Sequence, residues 1–261
     1  MQLEIAQKTA IMTKICIERQ EVGTTHWDML IPEIVIARDG TETESYIYTF
    51  EDYTVEHGKS YIYSLRQKAY GIYSDRLTTD PATAKFDDII LSDGDKVLAI
   101  ALNPKISSMK TTTLEQKTDT IGSKYPFFFR NGAIGYKELP INGLISYRMD
   151  DVEGFMSKEE LGIEYFSSNM DNTNLAAERK FKLAVLDWLN NGKPKIFRSP
   201  TEGSYIVRLM NISLSPNDTL GRMLHSFSAT SYEIAEYTMS NINKYSLLKF
   251  EIPENSTKED Y

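Results

Sequence analysis

Ser45-Tyr46-Ile47-Tyr48-Thr49-Phe50-Glu51-Asp52-Tyr53-Thr54-Val55-Glu56-His57-Gly58-Lys59-Ser60-Tyr61-Ile62-Tyr63-Ser64-Leu65-Arg66 contains two strand patterns around one turn. Strand side chains repeat every two residues, so Tyr46, Tyr48 and Phe50 share one face. After the turn at Glu56-His57-Gly58-Lys59, Tyr61, Tyr63 and Leu65 share a face in the same way. Upstream, Thr13 to Arg19 alternates with Ile15 and Ile17, Trp27 to Ile36 is a strand broken by Pro32, and Asp39-Gly40 marks a turn. Downstream, Gly71 to Leu77 supplies one more strand. Short β-branched and tyrosine-rich strands with turns between them predict an all-β module.

This order resembles part of a fibronectin type III domain. The residues that carry the likeness are Ile17-Glu18-Arg19, Trp27, the run Phe50 to Tyr63, and Gly71-Ile72-Tyr73-Ser74, together covering about residues 10–78. The match departs at its start, where too few residues remain for a full set of early strands. The resemblance implies a β-sandwich module over 1–80 and says almost nothing of function. The polar connector Thr78-Thr79-Asp80-Pro81-Ala82-Thr83 places a linker at 81–85.

Beyond the linker, Phe86 to Leu91 and Lys96 to Ala101 flank Ser92-Asp93-Gly94-Asp95, a hairpin signal. Ile106 to Leu114 is rich in Ser and Thr and reads either as an ordinary strand or as an ordered arm. Tyr125 to Arg130 and Leu139 to Met149 are strands separated by an Asn131-Gly132 turn. A helix over about 174–191 follows: Asn174 caps it, and Phe181, Ala184, Val185, Trp188 and Leu189 form an apolar stripe at helical spacing. Asn190-Asn191-Gly192 and Pro194 end it. Lys195 to Arg198, Ser204 to Leu214 and Leu224 to Glu236 are closing strands, and 251–261 is a flexible polar tail.

Twenty-nine basic against 37 acidic residues give a formal net charge of −8, which argues against a broad nucleic-acid footprint. No apolar run approaches the ~18 residues of a membrane span, and no long apolar leader region is present. The one cysteine, Cys16, excludes an intramolecular disulfide and is expected to be a buried structural thiol.

The search for chemistry is negative. His26, His57 and His225 have no metal-binding spacing, and Asp93-Gly94-Asp95 lacks the later ligands of a calcium loop. Asp150-Asp151-Val152-Glu153 reads as a solvated loop rather than an acid/base pair. Phosphate-cradling glycine loops and a GxSxG elbow are missing, and His225 and Ser228 fall on opposite strand faces. Phe127-Phe128-Phe129 is expected to pack into a core on two sides, and Trp188 to be core on the helix. No catalytic residue, metal or cofactor is expected.

Residues 86 to about 240 resemble tail and baseplate proteins of tailed bacteriophages. The likeness rests on the runs Asn103 to Lys110, Thr113 to Gly132, Tyr136 to Ser146, Glu178 to Pro200 and Gly203 to Pro216. It implies a tube-like β-barrel or split barrel with one flanking helix over 86–250, making the whole chain mainly β. It further implies a non-enzymatic virion protein, made in the host bacterial cytoplasm, that forms a homo-oligomeric ring in the tail or baseplate. Its partners would be tail tube, fibre or hub proteins, with no specific nucleic acid and no membrane insertion.

The polar stretch around Thr111-Thr112-Thr113 suits strand addition to a neighbour's open sheet edge. Ser107, Thr111, Thr113, Gln116, Tyr125 and Arg130 are the expected assembly residues, with Arg198 and Arg208 as ion-pair partners for an acidic neighbour. Two other classes compete. A carbohydrate-binding module would use exposed Trp27, Tyr46, Tyr48, Tyr61 or Tyr63 as a sugar platform. A cell-wall hydrolase would use Asp150 and Asp151.

Overall fold

The computed structural model of the 261-residue chain describes residues 13–36, 50–69, 71–100, 102–119, 126–146, 155–156, 175–216 and 224–248. The expected strand at 45–50 apart from Phe50, the Asn174 cap, the carboxylates of 150–153 and the tail at 251–261 lie outside them. The protein is mainly β. Contacts divide it into two units, Met1–Lys85 with Leu248–Tyr261, and Phe86–Leu247.

In the first unit, β1 (Thr13–Glu21) lies between β2 (Asp28–Ile36) and β3 (Ser60–Ala69), antiparallel to both. Pro32 does not break β2. The register steps from Ile15↔Ile34 to Ile17↔Ile31, so the proline falls in a one-residue bulge. It also sits on a strand paired on only one side among the described residues, where a missing N–H is tolerated.

The segment expected as one strand and then a free linker is instead a single interrupted strand along β3. β4 (Ile72–Tyr73), β5 (Leu77–Thr78) and β6 (Ala82–Thr83) pair successively with Lys68–Ala69, Ser64–Leu65 and Ser60–Tyr61. The amides of Ser74, Thr79 and Ala84 donate to the carbonyls of Gln67, Tyr63 and Lys59. Five residues on this strand thus span four on β3, with a bulge in each repeat. At the first two bulges a hydroxyl accepts the strand amide that would lose its partner: Gln67 donates to Ser74 Oγ and Tyr63 to Thr79 Oγ1. Residues 82–84 are therefore tied to β3 and are no linker.

Across this sheet Arg19 is buried with Asp52 and Thr54, donating to Asp52 Oδ2 at 2.7 Å and Thr54 Oγ1 at 2.8 Å. Tyr63 Oη donates to the same carboxylate, and the guanidinium lies over Tyr61. On the opposite face, Arg66 and Arg76 reach buried Glu18 while stacking on Tyr73 and Trp27.

The second unit begins with β7 (Ile89–Ser92) and β8 (Val97–Ile100), joined by the expected Asp93-Gly94-Asp95 turn with Gly94 at φ 89°. β9 (Leu102–Ile106), β10 (Lys110–Thr118) and β11 (Phe127–Ser146) follow. Then come α1 (Leu175–Asn190), β12 (Lys195–Ser199), β13 (Gly203–Pro216), β14 (Leu224–Ala235) and a short α2 (Met239–Lys244) that the sequence reading did not anticipate.

The sheet runs β10-β11-β14-β13-β12-β7-β8, with β9 also on β11. Its two sides meet through the chain: β8 ends on β7 at Ile100, and β9 starts on β11 at Leu102. Among the described residues the ladder is therefore curled and split rather than a hydrogen-bonded closed barrel. Gly143 on β11 permits the approach, because a Cβ there would lie 2.3 Å from Ile100 Cγ2.

α1 lays Phe181, Val185, Trp188 and Leu189 onto the inner face, with Phe155 edge-on to both Phe181 and Trp188. This is the apolar stripe read from the sequence, and Trp188 is core. The helix end is fixed by polar contacts inside that core: Asp93 accepts from Trp188 Nε1 and from Lys195 Nζ.

Candidate assembly site

β11 is one strand of 20 residues, not two strands around an Asn131-Gly132 turn. Residues 131–134 form a bulge inside it, between the pairs Thr113↔Gly135 and Glu115↔Arg130. The C-terminal part, Glu138–Ser146, pairs with β14, while Phe127–Glu138 pairs with β10. Among the described residues, 127–137 have no strand on the other side, and β10 has none on its outer side. β10 and the first half of β11 are therefore a two-stranded ribbon extending past the sheet with both backbone edges open.

The ribbon is anchored at its root. The Lys137 amide donates to Glu233 Oε2 at 3.1 Å, and its ammonium donates to Tyr205 Oη at 3.0 Å while lying over that ring. The bond to the phenol holds the Lys137 ammonium above its ordinary range. Tyr205 in turn donates to the carbonyl of Glu202. Thr112 Oγ1 donates to Glu138, and the rings of Tyr136 and Tyr232 lie 6.2 Å apart. These contacts hold the first pairs of the ribbon to β13 and β14.

Its outer part is apolar and uncovered: Phe127, Phe128 and Phe129 are 54%, 69% and 59% exposed. The expectation that they pack into a core is overturned, because past Lys137 there is no described layer for them to pack on. At 150–250 Å² per aromatic side chain, they present roughly 360 Å² of ring surface on the two faces of the ribbon. Phe127 and Phe129 share one face and Phe128 lies on the other, so each face of the ribbon offers exposed aromatic surface of the kind used in interactions.

The expected assembly residues separate. Thr111, Thr113 and Gln116 lie on β10, with Thr111 and Gln116 exposed. Ser107 is exposed but belongs to the sheet: its amide donates to the Pro140 carbonyl, and its hydroxyl accepts from Asn142 Nδ2. Residues 107–118 are thus half of a hairpin rather than a free arm. Arg130 is opposite Glu115 in the ladder, its side chain lies outside the described residues, and so does Tyr125.

Arg208 is exposed on β13. Arg198 is not a surface ion-pair donor: β12 is a central strand between β7 and β13, and Arg198 is 3% exposed with its guanidinium over Phe86. Sequence reasoning found β10 and missed the phenylalanines. A run of three aromatics without polar alternation carried the signal, since no two-layer core accepts it at a hairpin tip.

The sugar platform fares poorly among the described residues. Tyr61 is buried, Tyr63 is bound to Asp52, and Arg76 covers one face of Trp27. Tyr46 and Tyr48 lie outside the described residues, as do Asp150 and Asp151. His225 is buried in β14 and His26 pairs with Asp28 on the surface. Among the described residues no three His, Cys, Asp or Glu side chains converge as metal ligands, and no helix is long and apolar enough to cross a membrane. No protein-family model matches the chain, and no curated protein matches it.

Proposed function

We propose that the chain is a non-enzymatic structural component of a bacteriophage tail or baseplate, in which copies join through the β10–β11 ribbon into a ring. The ring would connect the tail tube to neighbouring baseplate or fibre proteins. The observation that carries this reading is the anchored ribbon with two open edges and an exposed phenylalanine triplet. One edge of one copy fits the other edge of the next, a heterologous contact that closes into a ring when the rotation allows.

Magnitudes favour a shared, multi-point interface over a simple pair. Covering about 360 Å² of ring surface contributes roughly 9 kcal/mol at ~25 cal/mol/Å². That is comparable to the ~4–15 kcal/mol lost in restraining two bodies, so each copy gains most when it is held on both sides. The first unit does not compete for this role through its β4–β6 strand, where bulges discourage a further strand.

Phe128→Glu combined with Phe127→Ser tests the reading, with sedimentation velocity on the purified chain and electron microscopy of assembled tails. The wild type is expected to form closed oligomers and enter tails; the double variant stays monomeric with an unchanged circular dichroism spectrum. A wild-type chain that is monomeric at high concentration and absent from tail particles overturns it.

A further inference from the structure

Four strands of the second unit carry a polar row on the outer face of the sheet. Lys105 on β9 pairs with Asn142 on β11, Asn142 with Ser228 on β14, and Ser228 with Ser213 on β13. A second row places Leu144 beside Ser226 and Ser226 beside Ser215. With strands about 4.8 Å apart, the first row spans roughly 14 Å. Together with Asn103 and Gly143 these residues line a groove of about 420 Å³.

The groove is built by the backbone. On each flank the register gains one residue: Leu102 to Lys105 spans Leu144 to Asn142, and Met210 to Ser213 spans Thr230 to Ser228. Each extra residue sits beside an asparagine in the left-handed region, Asn103 at φ 50° and Asn211 at φ 54°. Bulges bend a strand and re-aim its side chains, and strained non-glycine residues persist where the surrounding structure holds them. Asn142 is further oriented by donating to Ser107 Oγ at 2.8 Å.

We propose that this groove binds an acidic oligosaccharide. Serine hydroxyls and asparagine amides both give and accept hydrogen bonds, which matches a ligand dense in hydroxyl groups. Leu144 offers a small apolar floor for the C–H face of a sugar ring. Lys105 is the one charged residue among the ten of the lining, and among the described residues no ion pair ties it to a carboxylate, so the groove is complementary to a single anionic substituent.

Other ligand classes fit less well. A metal ion has no carboxylate or imidazole here. Single-stranded nucleic acid calls for several cations and stacking rings. An extended peptide binds by adding to a free edge, whereas the centre of the groove, β11 and β14, is paired on both sides and only its flanks, β9 and the end of β13, have an open side among the described residues. The site is distinct from the ribbon and from the tyrosines of the first unit, and it does not depend on ring formation.

The test uses the full chain on an array of uronate-, sialate- and phosphate-bearing glycans with their neutral counterparts, followed by calorimetry with the best tetrasaccharide. The expected result is binding of acidic members in preference to neutral ones. Lys105→Ala and Asn142→Ala should each weaken it at least about tenfold, and Ser213→Ala with Ser228→Ala should do the same, with unchanged circular dichroism. The array also separates carboxylate from phosphate as the anionic group. Binding of no glycan, equal binding of neutral and acidic glycans, or affinity unaltered by Lys105→Ala and Asn142→Ala would overturn the proposal. So would capture of extended peptides in place of glycans.

Discussion

Lys195 Nζ lies 3.1 Å from Asp93 Oδ2 in the core of the second unit, with both side chains less than a tenth exposed. The same carboxylate accepts from Trp188, the ammonium lies 4.4 Å from the centre of the Trp188 ring, and Asn191 Oδ1 accepts from the ammonium at 3.0 Å. One pair therefore ties the β7–β8 turn, the end of α1 and the start of β12. Replacing both charges by apolar groups of the same shape is often nearly neutral, but removing one strands the other in the core.

Lys195→Met is accordingly expected to cost about 3–5 kcal/mol of the second unit's stability. Adding Asp93→Asn should recover part of the loss. Urea unfolding followed by Trp188 fluorescence in a Trp27→Phe background measures both, and equal stability of Lys195→Met and the parent would show that the pair contributes nothing.

Burial pushes the Lys195 ammonium below its ordinary value of 10.5, against the opposing pull of Asp93. In the window between the lowered folded value and 10.5 the unfolded chain binds more protons than the folded one, so this residue makes stability rise with pH. The stability difference between wild type and Lys195→Met should widen as pH climbs through that window. A difference that narrows there contradicts the sign.

Cys16 is 1% exposed on β1, and its thiol is pushed up first by burial and then by the charge of Glu18. Reactivity follows the thiolate and its access, so the native chain should resist alkylation at pH 8 and react fully in denaturant. Mass spectrometry after iodoacetamide reads this directly. Rapid native labelling would show that β1 opens.

Ser74 and Thr79 hold the β4–β6 strand to β3 by accepting from Gln67 and Tyr63. Each alanine substitution should cost about 1 kcal/mol. More specifically, Ser74→Ala should speed hydrogen exchange at Gln67, and Thr79→Ala at Tyr63. Unchanged exchange at these two amides would show that the hydroxyls are incidental.

Much of the local structure was legible in residue order because its causes are local. The alternation of β1 and β3 and the stripe Phe181–Val185–Trp188 follow from periods of two and 3.6 residues, and the Asp93-Gly94-Asp95 turn from its residue types. What failed were the breaks. Pro32 and Asn131-Gly132 read as interruptions, yet both are absorbed as bulges, since a ladder paired on one side can gain residues without ending.

Local periodicity is enough for a mainly β chain with an amphipathic helix in its second half. Which of its faces meet solvent depends on pairings between distant strands. Period two assigns Phe127 and Phe129 to one side and Phe128 to the other, but whether either side has a neighbouring layer depends on how far β14 extends along β11. Arg198 is inside because β12 became central, and Lys105, Asn142, Ser228 and Ser213 form a row because four distant strands share one register. Non-local pairing sets all three, and no window along the chain contains it.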